Sequence, residues 1–282
     1  SMPFEALKYN GKGNLVGFGF APEGIENNEI IYELLSDMGW VSEEINLDEW
    51  IEKYTIRRYG IYSQNIKKAY KHFNNSFFGS FTDHPRNTYQ FRPNTKYRGS
   101  VNKSDEIRQG LELFLSCNNE IKNSKLYAVD VIEITSQYLG LKADELLVEF
   151  QKTGENDSTI LNEAIEILEN IDRLLESHPT WKLKIWTDYA KRWGSTLEEE
   201  AYYQANAKRL ITTWGGGVNE YAARTWSGLI RDYYIPRWKL YYTAKANNTK
   251  FDLLEWEEEW IKSIGISEIK PFDKPIDRAI WL

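Results

Sequence analysis

Apolar residues recur along most of this chain at three- and four-residue intervals, the spacing of helices with one face turned to a core. Ile30, Ile31, Leu34, Leu35 and Met38 form the first such face, with Asn27 or Asn28 placed to cap it. A second helix is expected from Asn46 or Asp48, through Trp50, Ile51 and Tyr54 to Arg57-Arg58-Tyr59, stopping at Gly60. Ser63 can cap the next, which carries Ile66, Tyr70 and Phe73, and Ser104 begins another with Ile107, Leu111, Phe114 and Leu115 on one face. The pattern then predicts helices over 125–150, 159–175, 181–193 and 197–213, the last two divided by Gly194 with Ser195 as cap. After Trp214-Gly-Gly-Gly217 the run 218–238 is again helical, but Pro236 is expected to kink or divide it. A last helix is expected at about 250–262, followed by a proline-containing tail.

Two stretches break this period. Residues 79–103 carry Gly, Pro, Asn and Thr without helical spacing and read as a long loop, a kind of segment that is usually functional or disordered. Residues 15–20, Leu-Val-Gly-Phe-Gly-Phe, read as a strand buried on both faces, as in a parallel sheet. Pro22 ends it, and Glu23-Gly24 form the turn into the first helix. Glu23 therefore stands at the tip of a strand on a βα loop, where (β/α)₈ barrels place their chemistry. An ordinary loop acid is the plainer reading of that residue taken alone.

The strand finds no partner in the otherwise helical sequence. Its neighbours are expected on a chain segment outside these residues, and Ser1-Met2 reads as a cloning remnant. The expected fold is mainly α: residues 1–40 hold the last strand and helix of a truncated (β/α)₈-type barrel, and 41–282 form an all-α helical-bundle domain. No fixed-period repeat supports a solenoid.

Composition narrows the function. A net charge of −7 disfavours a phosphate-binding surface, so nucleic acid is not an expected partner. No apolar run approaches the roughly 20 residues needed to span a membrane. One cysteine, Cys117, permits no internal disulfide, and no Cys/His spacing suggests zinc, so no metal or cofactor is expected. The 11 Trp and 18 Tyr suit stacking on sugar faces, although helix-packing ridges are the commoner use of aromatic residues.

Gly17-Phe-Gly-Phe-Ala-Pro-Glu-Gly-Ile25, with Asn28-Glu29 and Tyr32, resembles the last-strand motif of the α-N-acetylglucosaminidases, glycoside hydrolase family 89. Further similarity lies in Arg57-Arg58-Tyr59-Gly60, Trp214-Gly with Tyr221 downstream, and Trp226-Ser-Gly228 leading into Leu229-Ile-Arg-Asp-Tyr-Tyr-Ile-Pro-Arg-Trp238. The resemblance implies that Glu23 is the catalytic nucleophile of a retaining hydrolase. It also implies that Trp214, Tyr221 and His84 (in Thr82-Asp-His-Pro-Arg86) shape the sugar pocket. The substrate it implies is a glycan ending in α-linked N-acetylglucosamine, and the location periplasmic or secreted.

Glycoside hydrolysis generally needs two carboxyl groups. In the family the acid/base glutamate lies on an earlier barrel strand, which no stretch here matches, so this chain alone is expected to be inactive. Glu26 and Glu29 lie too close in sequence to Glu23 to replace it. His72 and His178 show no such context and read as structural or surface groups. The alternative is a non-catalytic helical module that binds carbohydrate or protein, which would have no use for an unpartnered barrel strand.

Overall fold

The computed structural model describes residues 2–21, 29–41, 43–76, 78, 87–95, 104–121, 123–155, 157–214 and 220–282. The helices are α1 (Met2–Lys8), α2 (Glu29–Met38), α3 (Leu47–Tyr59), α4 (Gln64–Asn75), α5 (Ser104–Ser116), α6 (Asn118–Ile121) and α7 (Lys125–Lys152). They continue with α8 (Ser158–Leu175), α9 (Leu183–Lys191), α10 (Leu197–Leu210), α11 (Ile235–Ala246), α12 (Leu253–Lys262) and α13 (Pro275–Trp281). Short 3₁₀ turns occupy Thr88–Gln90 and Pro179–Trp181.

Local chemistry sets most of the boundaries. Asn46 caps α3 by accepting from the N–H groups of Asp48 and Glu49, and Gly60 ends that helix at φ 85°, a left-handed conformation natural to glycine. Ser63 caps α4 through Ile66 N–H. At α10 the cap is Thr196 and not the expected Ser195. Thr196 Oγ1 accepts from Glu199 N–H, while the Glu199 carboxylate turns back to Ser195 N–H at 2.7 Å. That reciprocal pair fixes the start one residue later than the Gly-Ser signal suggests.

The strand expected at residues 15–20, with its neighbours on a segment outside these residues, is not formed here. Residues 15–20 form no β-ladder, and among the described residues the only β-pairing is an isolated bridge between Lys182 and Ser227. Val16 is 99% exposed. An extended segment becomes a strand only when a neighbouring strand receives its backbone hydrogen bonds, and the one such bond of this segment among the described residues is local, from Leu15 N–H to Lys12 O at 3.2 Å. What holds the segment is Phe20, edge-on to Tyr32 of α2 at 5.1 Å. Three helices were also not foreseen, among them the single turn of α6. Short α1 buries Phe4, and α13 begins on Pro275 and buries Ala279 against the first of the two cores described next.

Those two apolar cores meet on α7. Its N-terminal half supplies Tyr127, Val131 and Ile134 to a core shared with α3, α4 and α5, where Tyr59, Tyr70, Phe73 and Phe114 pack edge to face. Its C-terminal half supplies Leu139, Ala143, Leu147 and Phe150 to a second core with α8 and α11. Long, and apolar on more than one side, α7 is the spine of the fold.

Of the run 218–238 expected to be helical, described residues 220–228 form turns and loop with the bridge at Ser227, and helix begins only at residue 229. Pro236 then falls in the first turn of α11, where its missing N–H is tolerated, and distorts the run without breaking it. Ile230–Tyr234 form a π turn in which Ile235 N–H reaches back five residues to Ile230 O. The wider turn makes room for the proline ring and rotates the following residues, a device often found beside functional sites.

Candidate functional site

α10 ends in a turn that delivers Trp214. Its N–H bonds to Arg209 O at 2.8 Å, and its backbone sits at φ 53°. Six residues on, Glu220 returns at φ 60° and closes the loop through its N–H to Thr212 O at 2.8 Å. Non-glycine residues seldom adopt this left-handed conformation, and here it flanks both ends of residues 215–219. Trp214 and Tyr221 are thereby brought together, with ring centroids 5.3 Å apart and planes tilted by 58°. Trp214 keeps 39% of its surface exposed, so a flat apolar face remains open beside a phenol.

A second segment is locked to this loop. The turn at residues 87–91 follows the His84 stretch and packs on α7, where a Cβ on Gly140 would lie 2.8 Å from Asn87 Nδ2. Thr88 N–H donates to the buried Asp144 carboxyl at 2.5 Å. Burial pushes that carboxyl up to about 8 despite its bonds to Thr88. Gln90 Nε2 donates to Thr225 Oγ1 at 3.3 Å, and Tyr89 Oη lies 3.2 Å from the same hydroxyl. Thr225 stands four residues beyond Tyr221.

Beneath both segments is a buried cluster of two arginines and two glutamates. Arg237 bonds Glu220 and also Glu257 Oε1 at 3.0 Å, while Arg92 forks onto Glu257 with bonds of 2.6 to 3.0 Å. Burial raises the Glu220 carboxyl to about 7, opposed by the attraction of Arg237.

Glu23 and His84 lie outside the described residues. The helix after Glu23 is nevertheless tied to the body. Arg58 bonds Glu29, the first residue of α2, at 2.5 Å and grips Asp130 of α7 with two bonds of 2.6 Å. Tyr59 Oη also donates to Asp130 and lies 2.7 Å from Tyr70 Oη. Burial raises Asp130, with Arg58 pulling the other way. The Arg57-Arg58-Tyr59-Gly60 motif is thus an anchor for α2, reinforced by Arg57 on Glu33 at 2.6 Å.

The motif at residues 226–238 is likewise structural in its first half. Asp172 of α8 accepts from Gly228 N–H at 2.8 Å and pairs with Arg231. Its second half supplies Arg237 to the cluster. Sequence reasoning did not single out Glu220, Glu257, Arg92 or Asp144 for the site, since one buried acid looks like any other until its partners are known. Among the described residues, no group of His, Cys, Asp and Glu is arranged to hold a metal ion, and no helix is long and apolar enough to cross a membrane.

Comparison with known proteins gives these features a family. Residues 50–280 match the model of the alpha-N-acetylglucosaminidase (NAGLU) C-terminal domain, and residues 1–42 match that of the NAGLU tim-barrel domain. The human alpha-N-acetylglucosaminidase is 26% identical over 264 residues, covering 86% of this chain and 35% of the human protein. A family 89 glycoside hydrolase from Clostridium perfringens, solved with 2-acetamido-1,2-dideoxynojirmycin, shares the fold at a TM-score of 0.79 and 23% identity, over 89% of this chain and 33% of its own. The same bacterium's enzyme solved with its substrate GlcNAc-alpha-1,4-galactose superposes at 0.77, also with 23% identity, and over the same shares of the two chains. The chain thus spans about a third of the length of these relatives. With the C-terminal domain model matched along most of its length, the chain belongs to the α-N-acetylglucosaminidase (NAGLU) family.

Proposed function

We propose that this chain supplies one catalytic carboxylate and one wall of the sugar pocket to a retaining α-N-acetylglucosaminidase. Residues 1–40 complete a (β/α)₈ barrel whose other strands lie on a further segment of the protein, and residues 41–282 form the helical domain packed behind it. Residues 15–20 then gain the ladder partners they lack here.

In this reading Glu23 attacks the anomeric carbon of a terminal α-linked N-acetylglucosamine. The bond to the leaving oxygen breaks as a barrel glutamate protonates that oxygen. Water, deprotonated by the same glutamate, then attacks the glycosyl–Glu23 ester and restores the carboxylate with the original anomeric configuration. Trp214 offers its open face to the sugar, Tyr221 a hydroxyl, and His84 a further polar contact.

The observation that carries the reading is the pairing of Trp214 with Tyr221 on a loop held in left-handed backbone at both ends. The test is Glu23→Ala in the protein that includes the barrel segment. Turnover of an aryl α-N-acetylglucosaminide is expected to be lost and partly restored by azide, which fits the gap left beside the anomeric carbon. Turnover close to normal in Glu23→Ala would end the assignment. The present chain, assayed without the barrel segment, is expected to give no turnover above its own Glu23→Ala control.

A further inference from the structure

The residues around Arg237 do more than fill a core. Its guanidinium is fully buried, yet its partners are mostly not side chains of the helices packed around it. Nη2 donates to the backbone carbonyls of Gln90 at 2.9 Å and Phe91 at 3.1 Å. Nη1 donates to Glu220, to Glu257, and to Tyr233 Oη at 3.1 Å. The next residue, Trp238, directs its indole N–H to Tyr89 O at 3.0 Å and Phe91 O at 3.2 Å.

Three consecutive carbonyls, of residues 89, 90 and 91, therefore end on two consecutive side chains of α11. Buried carbonyls outside helix and sheet are costly unless bonded, so these bonds fix where the turn can lie. On the opposite side, Glu220 holds an unfavourable backbone conformation between two restraints, its N–H on Thr212 and its carboxylate on Arg237.

We infer that Arg237 is a positioning residue. It couples the turn that leaves the His84 segment to the residue that enters Tyr221, so that the two polypeptide segments move as one. In its catalytic consequence the inference rests on the glycosidase reading above. The mechanical coupling stands on the bonds alone.

The chemistry favours arginine over any other cation here. A buried ion pair kept only for stability can often be exchanged for apolar residues without loss. Reaching two carbonyls, two carboxylates and a phenol at once needs the planar, multi-donor guanidinium; a lysine ammonium has three donors at one point. The π turn at Ile230–Tyr234 contributes to the same end. Tyr233 and Tyr234 flank Arg237 with their rings, and Tyr234 packs edge-on to Tyr89 at 5.5 Å.

The test is amide exchange followed by mass spectrometry on this chain, comparing Glu220→Gln with Leu168→Ala. Glu220 forms no hydrogen bond with residues 87–91, whereas Leu168 is buried in the second core. In Glu220→Gln, exchange in residues 88–91 is expected to speed up about tenfold together with residues 220–223, while α8 keeps its protection. Leu168→Ala is expected to lower the melting temperature and loosen α8 without that selective effect. Arg237→Lys is expected to behave as Glu220→Gln does, despite its retained charge. Unchanged protection of 88–91 in Glu220→Gln, or a uniform rise throughout the chain, would overturn the coupling.

Should the variants not fold, the unmodified chain decides. At denaturant concentrations below the global transition, the amides of Phe91 and Glu220 should share one opening reaction that precedes that of α8, and separate openings refute the coupling. Trp214→Ala in the protein with the barrel segment judges the glycosidase reading separately. An unaltered KM there counts against the sugar pocket and leaves the exchange result to decide the role of Arg237.

Discussion

Gly228 and Asp172 are joined by a backbone-to-carboxylate hydrogen bond of 2.8 Å, which pins the start of the α11 run to α8. Gly228 sits at φ +85°, and a Cβ there would lie 2.9 Å from Ile266 Cγ2 and 3.2 Å from Leu183 Cβ. Both the conformation and the space call for glycine. Gly228→Ala is therefore expected to lower stability by about 1–3 kcal/mol, read as an earlier midpoint in urea. An unchanged midpoint would show that the Asp172 bond tolerates a shifted backbone.

Arg58 and Asp130 form a buried pair of the kind whose rupture is costly. Each side chain is only 10% exposed, and Tyr59 shares the carboxylate. Removing the guanidinium strands the acid. Arg58→Ala should cost about 3–5 kcal/mol. The double variant with Asp130→Ala should cost less than the sum of the two single changes, because no orphaned charge remains. Additive losses in urea unfolding would contradict this.

Asp144 makes a specific pH dependence. Its carboxyl titrates near 3.8 when exposed and at about 8 when folded, because burial disfavours the charge. Between those values the folded form holds a proton that the unfolded form has lost. Its contribution is thus greatest below pH 4, falls as pH rises, and levels off above about 8. The slope approaches about 1.4 kcal/mol per pH unit for one group. Thermal melts from pH 4.5 to 8 should show Asp144→Asn declining less than the parent, with the difference growing towards pH 8. Parallel curves would mean that the group titrates normally.

Trp214 and Tyr221 should separate in their effects on sugar binding. Trp214→Ala removes the exposed stacking face and, in the protein with its barrel segment, should weaken binding by about 1–3 kcal/mol, mainly through KM. Tyr221→Phe keeps the ring that packs on Trp214 and removes only the hydroxyl. Its effect on KM should be that of one lost sugar hydrogen bond and the smaller of the two. A Trp214→Ala enzyme with unaltered KM would identify the pair as packing aromatics.

Helices were legible wherever a periodic face coincided with a cap. Asn46, Gly60 and Ser63 announced their boundaries because the interactions that fix them are local. The segment 15–20 reads as a strand whose partners lie outside these residues, and among the described residues it forms no ladder; its apolar run reports burial against something without naming the neighbour. Trp214 and Tyr221 could be paired only through resemblance. Nothing local in the sequence says that two left-handed residues close the loop between them. The Arg237 cluster was less legible still. Its members lie at 92, 220, 237 and 257, and charges so far apart look like solvated surface until the fold brings them together.

That α7 belongs to both cores has a consequence for how the protein comes apart. Tyr127, Val131 and Ile134 can leave the first core, or Leu139, Ala143 and Leu147 the second, only if part of one continuous helix loses its lateral support. Opening of either core weakens the helix that the other is built on. A lesion in the aromatic packing around Phe114 is therefore transmitted along the hydrogen-bonded helix to the neighbourhood of Asp144 and the turn it holds. Heat or denaturant should meet one cooperative unit, and damage far from the Trp214 loop should be felt there as lost stability.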